Sequence, residues 1–184
     1  MNRYDAILLI SKDEVMKLDR GERESIILNW WGIDNENPMF DRLPWELQQE
    51  IVNEEEPLAD IMDKKYDHLL IEAIMTEFVG VRNDYLSKRA SQILNKEMRV
   101  EGEAEILFAC PCCQYQTLEE RGQYYICPVC FWEDDGNNQA ERYSGPNHMT
   151  LQEGKNNFSK FGAVTESLAK SIKLDVKHRY SKIG

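Results

Sequence analysis

The apolar positions of the first hundred residues recur mostly with helical spacing. Ser11-Lys12-Asp13-Glu14 has the form of a capping box, with Ile10 and Val15 at hydrophobic-staple spacing, and predicts a short helix starting there. Asp19-Arg20-Gly21-Glu22 repeats the signal less cleanly. Ile26, Ile27, Trp30 and Trp31 follow at helical spacing with Gly32 placed as a stop, so a second helix is expected to supply core aromatics. Asp34 to Asn37 with Pro38 forms a turn, Pro44 suits the first turn of a third helix reaching about Val52, and Glu54-Glu55-Glu56-Pro57 ends it. Leu70, Ile71, Ile74 and Phe78 mark a further helix within 67–78, and Asn83 caps another running to about Leu94.

Near Arg99 the period changes to two. Val100, Gly102, Ala104, Ile106 and Phe108 fall on one face and Glu101, Glu103 and Glu105 on the other, which predicts a strand leading into a cysteine cluster. The expected organisation is α+β, with a helical domain over 1–95 and a small module over 96–184 that ends in helical segments. Thr150 and Glu153 form a capping box for one of these.

Composition fixes the class. With 184 residues and 42% hydrophobic content, the chain can bury one helical core plus a small appendage stapled by metal. No apolar run approaches the roughly 20 residues that span a bilayer, and the N-terminal pattern is not that of a secretory signal, so a cytoplasmic protein is expected. All five cysteines lie between positions 110 and 130. In a reducing compartment such a cluster points to metal rather than disulfides.

The net charge of -11 argues against nucleic acid as a partner. The sign is uneven: Trp30 to Gly80 carries thirteen acids against Arg42, Lys64 and Lys65, whereas 155–184 carries seven basic residues against Glu166 and Asp175. A face made by Asp34, Glu36, Asp41, Glu46, Glu50, Glu54, Glu55 and Glu56 is suited to steer a basic partner, a nuclease toxin being the concrete case.

Cys110-Pro111-Cys112-Cys113 and Cys127-Pro128-Val129-Cys130 are both C-P-x-C. Each pair can wrap a tight knuckle, and together Cys110, Cys113, Cys127 and Cys130 make an all-sulfur shell for one structural zinc ion. A hairpin pairing 115–118 with 124–126 is expected to bring the knuckles together. The same ligands would also serve iron. Cys112 is left over, as a small half-buried residue, a redox thiol or a replacement ligand. Outside the metal, Glu133, Asp134 and Asp135 beside Trp132, with His148, form a candidate acid/base group, whereas the competing reading makes 134–137 a turn and 145–148 a loop held by Asn147. His68 is expected to be solvated, and His178, in the basic tail, to be uninvolved. No phosphate loop, nucleophile elbow or HExxH signature occurs, so catalytic residues are not assigned.

The stretch from residue 110 to about 163 resembles the bacterial cysteine-rich CPCC family. The resemblance is carried by the first cysteine run, Tyr115, Ile126-Cys127-Pro128-Val129-Cys130-Phe131-Trp132-Glu133-Asp134-Asp135, and Gly145-Pro146-Asn147-His148 followed by Leu151, Asn156 and Phe158. Asn29-Trp30-Trp31-Gly32-Ile33-Asp34 is similar to an N-terminal extension of some members. Gln114 departs from the pattern, standing where glycine is expected. The resemblance implies a zinc ribbon without an established activity and an association with toxin and immunity loci.

Overall fold

Asn2 accepts a hydrogen bond from the Asp5 N–H at 2.8 Å and opens the first helix, α1 (Arg3–Val15). The computed structural model, which describes residues 1–183, thus places Ser11 fully buried inside a helix instead of at a cap. The apolar run 6–10 belongs to this helix, and the capping-box reading of Ser11 is corrected. The second capping box is real: Asp19 accepts from the Glu22 N–H, Glu22 accepts from the Asp19 N–H, and α2 (Arg20–Trp30) follows. Then come α3 (Trp45–Asn53) after Pro44, α4 (Asp67–Thr76) and α5 (Asn83–Leu94).

The chain divides into two compact units, 1–79 with 86–102, and 80–85 with 103–184. In the first unit α4 packs against α1 and α2, burying Ile10, Ile27, Leu69, Leu70 and Phe78. Trp31 meets Tyr66 edge to face at 5.7 Å, and its indole N–H donates to the Glu54 carbonyl at 3.0 Å, tying the end of α3 to α2. Arg23, itself buried, holds the loop before α4 through the Ile61 carbonyl at 3.0 Å and the Asp67 carboxylate at 2.8 Å.

Glu50 is the hub of this unit's polar contacts. Its carboxylate accepts from Lys65 Nζ (2.7 Å), Tyr66 Oη (2.7 Å) and the Leu58 N–H (2.9 Å). Burial pushes this carboxyl up, but the three donors outweigh it and hold Glu50 below the usual carboxylate range. A depressed carboxylate contributes stability above its unfolded pKa of about 4.3, and that contribution is lost as pH falls through the lower folded value. Glu50→Gln should therefore cost roughly 1–3 kcal/mol at neutral pH and shrink the loss of stability between neutral and acid. Urea unfolding of both proteins from neutral pH to below 4 checks this; parallel pH profiles would refute it.

The second unit is α+β with little sheet. β1 (Phe108–Ala109) pairs antiparallel with β2 (Gln116–Leu118), and β3 (Tyr143–Ser144) with β4 (Met149–Thr150). Residues 181–183 run along the other edge of β2, where the Gln116 N–H donates to the Ser181 carbonyl and the Ile183 N–H to the Gln114 carbonyl. α6 (Leu151–Phe161) starts at the expected Thr150 and Glu153 capping box and stops at Gly162, whose φ is 82°. α7 (Glu166–Ala169) and α8 (Val176–Arg179) complete the unit. The α+β expectation thus stands, with helices before and after the cysteine region.

Two local expectations do not. The strand over 99–109 is regular only at β1: Val100 and Leu107 are buried, whereas Ile106 is 93% exposed, so the alternating row is not a core face. The 115–118 segment pairs with β1, not with 124–126. Tyr124 to Ile126 instead folds back on 133–134, the Asp134 N–H donating to the Tyr125 carbonyl at 3.0 Å. Each cysteine pair therefore has a hairpin of its own.

Candidate metal centre

Both cysteine turns are built to one design. In the first, the Cys110 N–H donates to the Tyr115 carbonyl at 2.8 Å and the Gln114 N–H to the Cys110 carbonyl at 2.9 Å. In the second, the Cys127 N–H donates to the Trp132 carbonyl at 2.9 Å and the Phe131 N–H to the Cys127 carbonyl at 2.8 Å. Each reverses through a left-handed residue directly after its second cysteine, Gln114 at φ 67° and Phe131 at φ 64°. A side chain there costs about 1–2 kcal/mol, which is why glycine is expected at this position. The Gln114 amide offsets part of this by donating to the Pro111 carbonyl at 3.0 Å.

The four cysteines read from the sequence are the ones the fold brings together. Cys110 Sγ lies 3.6 Å from Cys130 Sγ, and Cys113 Sγ lies 3.6 Å from Cys127 Sγ. All four sulfurs fall within 4.8 Å of one another and all four residues are buried. A tetrahedron with Zn–S bonds of about 2.3 Å has sulfurs about 3.8 Å apart, so the residues fit one such ion. Four thiolates fill the shell and provide no position for substrate.

The electrostatics favour a cation. Burial pushes the Cys127 thiol up, yet hydrogen bonds from Cys110, Cys113, Cys130 and Thr117 bring it well below the ordinary thiol range; Thr117 Oγ1 stands 3.1 Å away. Cys110 is driven far up by hydrogen bonding with Cys113 and Cys127. Cys130 is driven up by burial and by its bonds to Cys110 and Cys112. A divalent ion in place of the thiol protons would let all four sulfurs ionise.

Neighbouring residues fix the knuckles. Trp132 is fully buried against α6, where a β-carbon at Gly154 would stand 2.8 Å from the indole ring and 3.5 Å from Cys112 Sγ. Cys112 thus packs beside Trp132 and α6 and is not one of the four. The Val164 N–H donates to the Cys130 carbonyl at 2.8 Å, fastening the chain after α6 to the second knuckle. Asn147 binds the backbone of Glu133 twice, accepting from its N–H at 2.9 Å and donating to its carbonyl at 2.7 Å. The predicted locking role of Asn147 is therefore played against a knuckle strand. Asn157 donates to the Val164 carbonyl at 2.8 Å, while Asn156 pairs with Gln152.

Glu133, Asp134 and His148 do not form an acid/base group. Asp134 is completely buried and fully occupied, accepting from Arg121 Nε at 2.8 Å, Arg121 Nη2 at 3.1 Å and the Gly122 N–H at 2.7 Å. His148 is exposed at a left-handed turn with φ 54°. Among the described residues its side chain contacts neither carboxylate through a hydrogen bond or ion pair. Asp135 accepts from the Asn137 N–H at 3.1 Å, the turn the sequence suggested. His68 and His178 are exposed.

The acids singled out for a partner separate into two kinds. Asp34, Glu36, Asp41, Glu46, Glu54, Glu55 and Glu56 are exposed, whereas Glu50 is committed to Lys65, Tyr66 and Leu58. Sequence reasoning missed the Arg121–Asp134 clamp and the Thr117 donor. No local signal marks the clamp; beside it Gly122 and Gly136, both at φ 76°, approach each other so closely that a β-carbon on one would stand 3.4 Å from the other.

Residues 108–178 match the family model described as Cysteine-rich CPCC. No curated protein and no solved structure matches the chain. Among the described residues no helix is long and apolar enough to cross a membrane.

Proposed function

Taking residues 108–178 as a Cysteine-rich CPCC segment wrapped around a closed four-thiol site, we propose that the metal is a structural zinc ion and that the protein acts by binding. The reading is an immunity-type cytoplasmic protein that captures and neutralises a cognate basic toxin, with a nuclease as the fitting class. One observation carries it. Asp34, Glu36, Asp41, Glu46, Glu54, Glu55 and Glu56 are exposed in one stretch of the first unit, and among the described residues none is held in an ion pair. Other acids of that unit are engaged, as Asp60 is by Arg20 at 3.0 Å and Asp67 by Arg23 at 2.8 Å. Uncompensated charge of one sign steers an oppositely charged partner and raises its association rate.

The test is co-expression with the product of the neighbouring gene, scored for a stable complex and for rescue from toxicity, followed by stopped-flow association. Neutralising Asp34, Glu36, Glu46 and Glu54 to their amides should slow association at low salt about tenfold or more and flatten its salt dependence. An unchanged rate at low salt would rule out this face.

A further inference from the structure

We infer that the outward stripe of α3, centred on Trp45 and Val52, is the docking surface for a basic protein segment that carries an apolar ridge. This rests on the basic-partner reading above and names what the acids surround.

α3 buries Leu47 and Ile51 and turns the opposite side to solvent, leaving Trp45 66% and Val52 62% exposed. Residues seven apart lie on one stripe about two turns, or about 10 Å, long. Between them the stripe carries Gln49, which is uncharged. Scattered exposed apolar residues need no explanation, but this pair shares a face bordered by acids, with Glu46 on the first turn and Glu54, Glu55 and Glu56 just past the last. Three glutamates at a helix C-terminus add to the negative end of its dipole and oppose folding, and no basic residue occupies the last turn. An arrangement unfavourable to the isolated helix becomes favourable when a cationic partner lies along it.

The platform is also rigid. Gln48 Nε2 donates to the Leu43 carbonyl at 2.8 Å, Glu50 anchors the following loop, and the Trp31 indole N–H holds the Glu54 carbonyl. An aromatic ringed by polar groups on such a platform is a common form of interface hot spot. Charge complementarity selects the occupant: Lys or Arg beside the glutamates, aliphatic side chains against Trp45 and Val52.

The probes are a synthetic amphipathic helix of about 15 residues with leucine on one stripe and lysine elsewhere, and a lysine-only peptide of equal charge. Both are titrated into the isotope-labelled full chain and followed by NMR. The leucine–lysine peptide should bind more tightly, with shifts concentrated at Trp45, Gln49, Val52 and the flanking glutamates. Trp45→Ala should weaken it at least tenfold without changing the lysine-only titration, and Val52→Gln should act in the same direction. The docking surface is overturned, with the acidic-face reading intact, if the two peptides bind equally, if the shifts map elsewhere, or if neither substitution weakens the leucine–lysine peptide. If neither peptide binds at low salt, the acidic-face reading falls as well. Unchanged circular dichroism of both variants separates lost binding from lost fold.

Discussion

Replacing Cys127 with serine is expected to abolish metal retention and to unfold the cysteine-bearing unit. The Cys127 sulfur lies 3.6 Å from that of Cys113 and 3.1 Å from the Thr117 hydroxyl, and its own backbone closes the second knuckle at both ends. Structural zinc sites are worth about 10–16 kcal/mol at neutral pH, as much as or more than the 5–15 kcal/mol by which whole domains are stable. With two-stranded sheets whose strands are two or three residues long, this unit has little sheet to fall back on. Metal analysis of the purified full chain should give one equivalent of zinc in the parent, one in Cys112→Ser and none in Cys127→Ser. Amide resonances of residues 103–183 should collapse to the narrow range of unfolded chains in Cys127→Ser, and equally in the parent after chelation. A Cys127→Ser protein with full metal content and dispersed resonances would refute the structural assignment.

Arg121→Ala should have the next largest effect, destabilising the same unit by about 3–5 kcal/mol. Asp134 has no exposure, and its two oxygens take three donors, two of them from Arg121. Removal of the guanidinium leaves a buried carboxylate with one backbone N–H, and stranding a buried charge carries a penalty of that size. Replacing both partners with apolar residues, as in Arg121→Met with Asp134→Leu, removes the charge as well as the bond and should recover much of the loss. Denaturant unfolding of the three zinc-loaded proteins gives the comparison. If Arg121→Ala unfolds within 1 kcal/mol of the parent, the clamp is not what holds the hairpin.

Features that announce themselves over four residues were legible in the sequence. The Asp19/Glu22 and Thr150/Glu153 boxes appear in the structure as read, Pro44 precedes α3, and α5 begins at Asn83. The cysteine pairs were legible because a tight turn and a metal shell impose fixed spacing on ligands. Ser11-Lys12-Asp13-Glu14 misled for a physical reason: the same four residue types fit a helix interior when an earlier cap, here Asn2, has already satisfied the first N–H groups. Strand pairing was misassigned because alternation identifies an extended segment without naming its neighbour, and Tyr124 to Ile126 finds its partner at 133–134. Ile106 shows the limit of periodicity, since it continues an apolar row that the fold leaves in water. The Arg121–Asp134 contact joins residues thirteen apart through side chains alone, and no local pattern encodes it.

The repetition of the knuckle has a kinetic consequence. Each one closes on contacts reaching no more than five residues along the chain, the kind formed earliest and fastest. Cys113 and Cys127, by contrast, are fourteen residues apart, and joining them adds a loop-closure cost of about 2 kcal/mol beyond a constant term. Within the folding chain each half-site is therefore expected to close faster than the two can meet. With a metal bound by the four cysteines, ion capture would be the step that joins them, and the pace at which this part of the protein matures would then follow the supply of free metal.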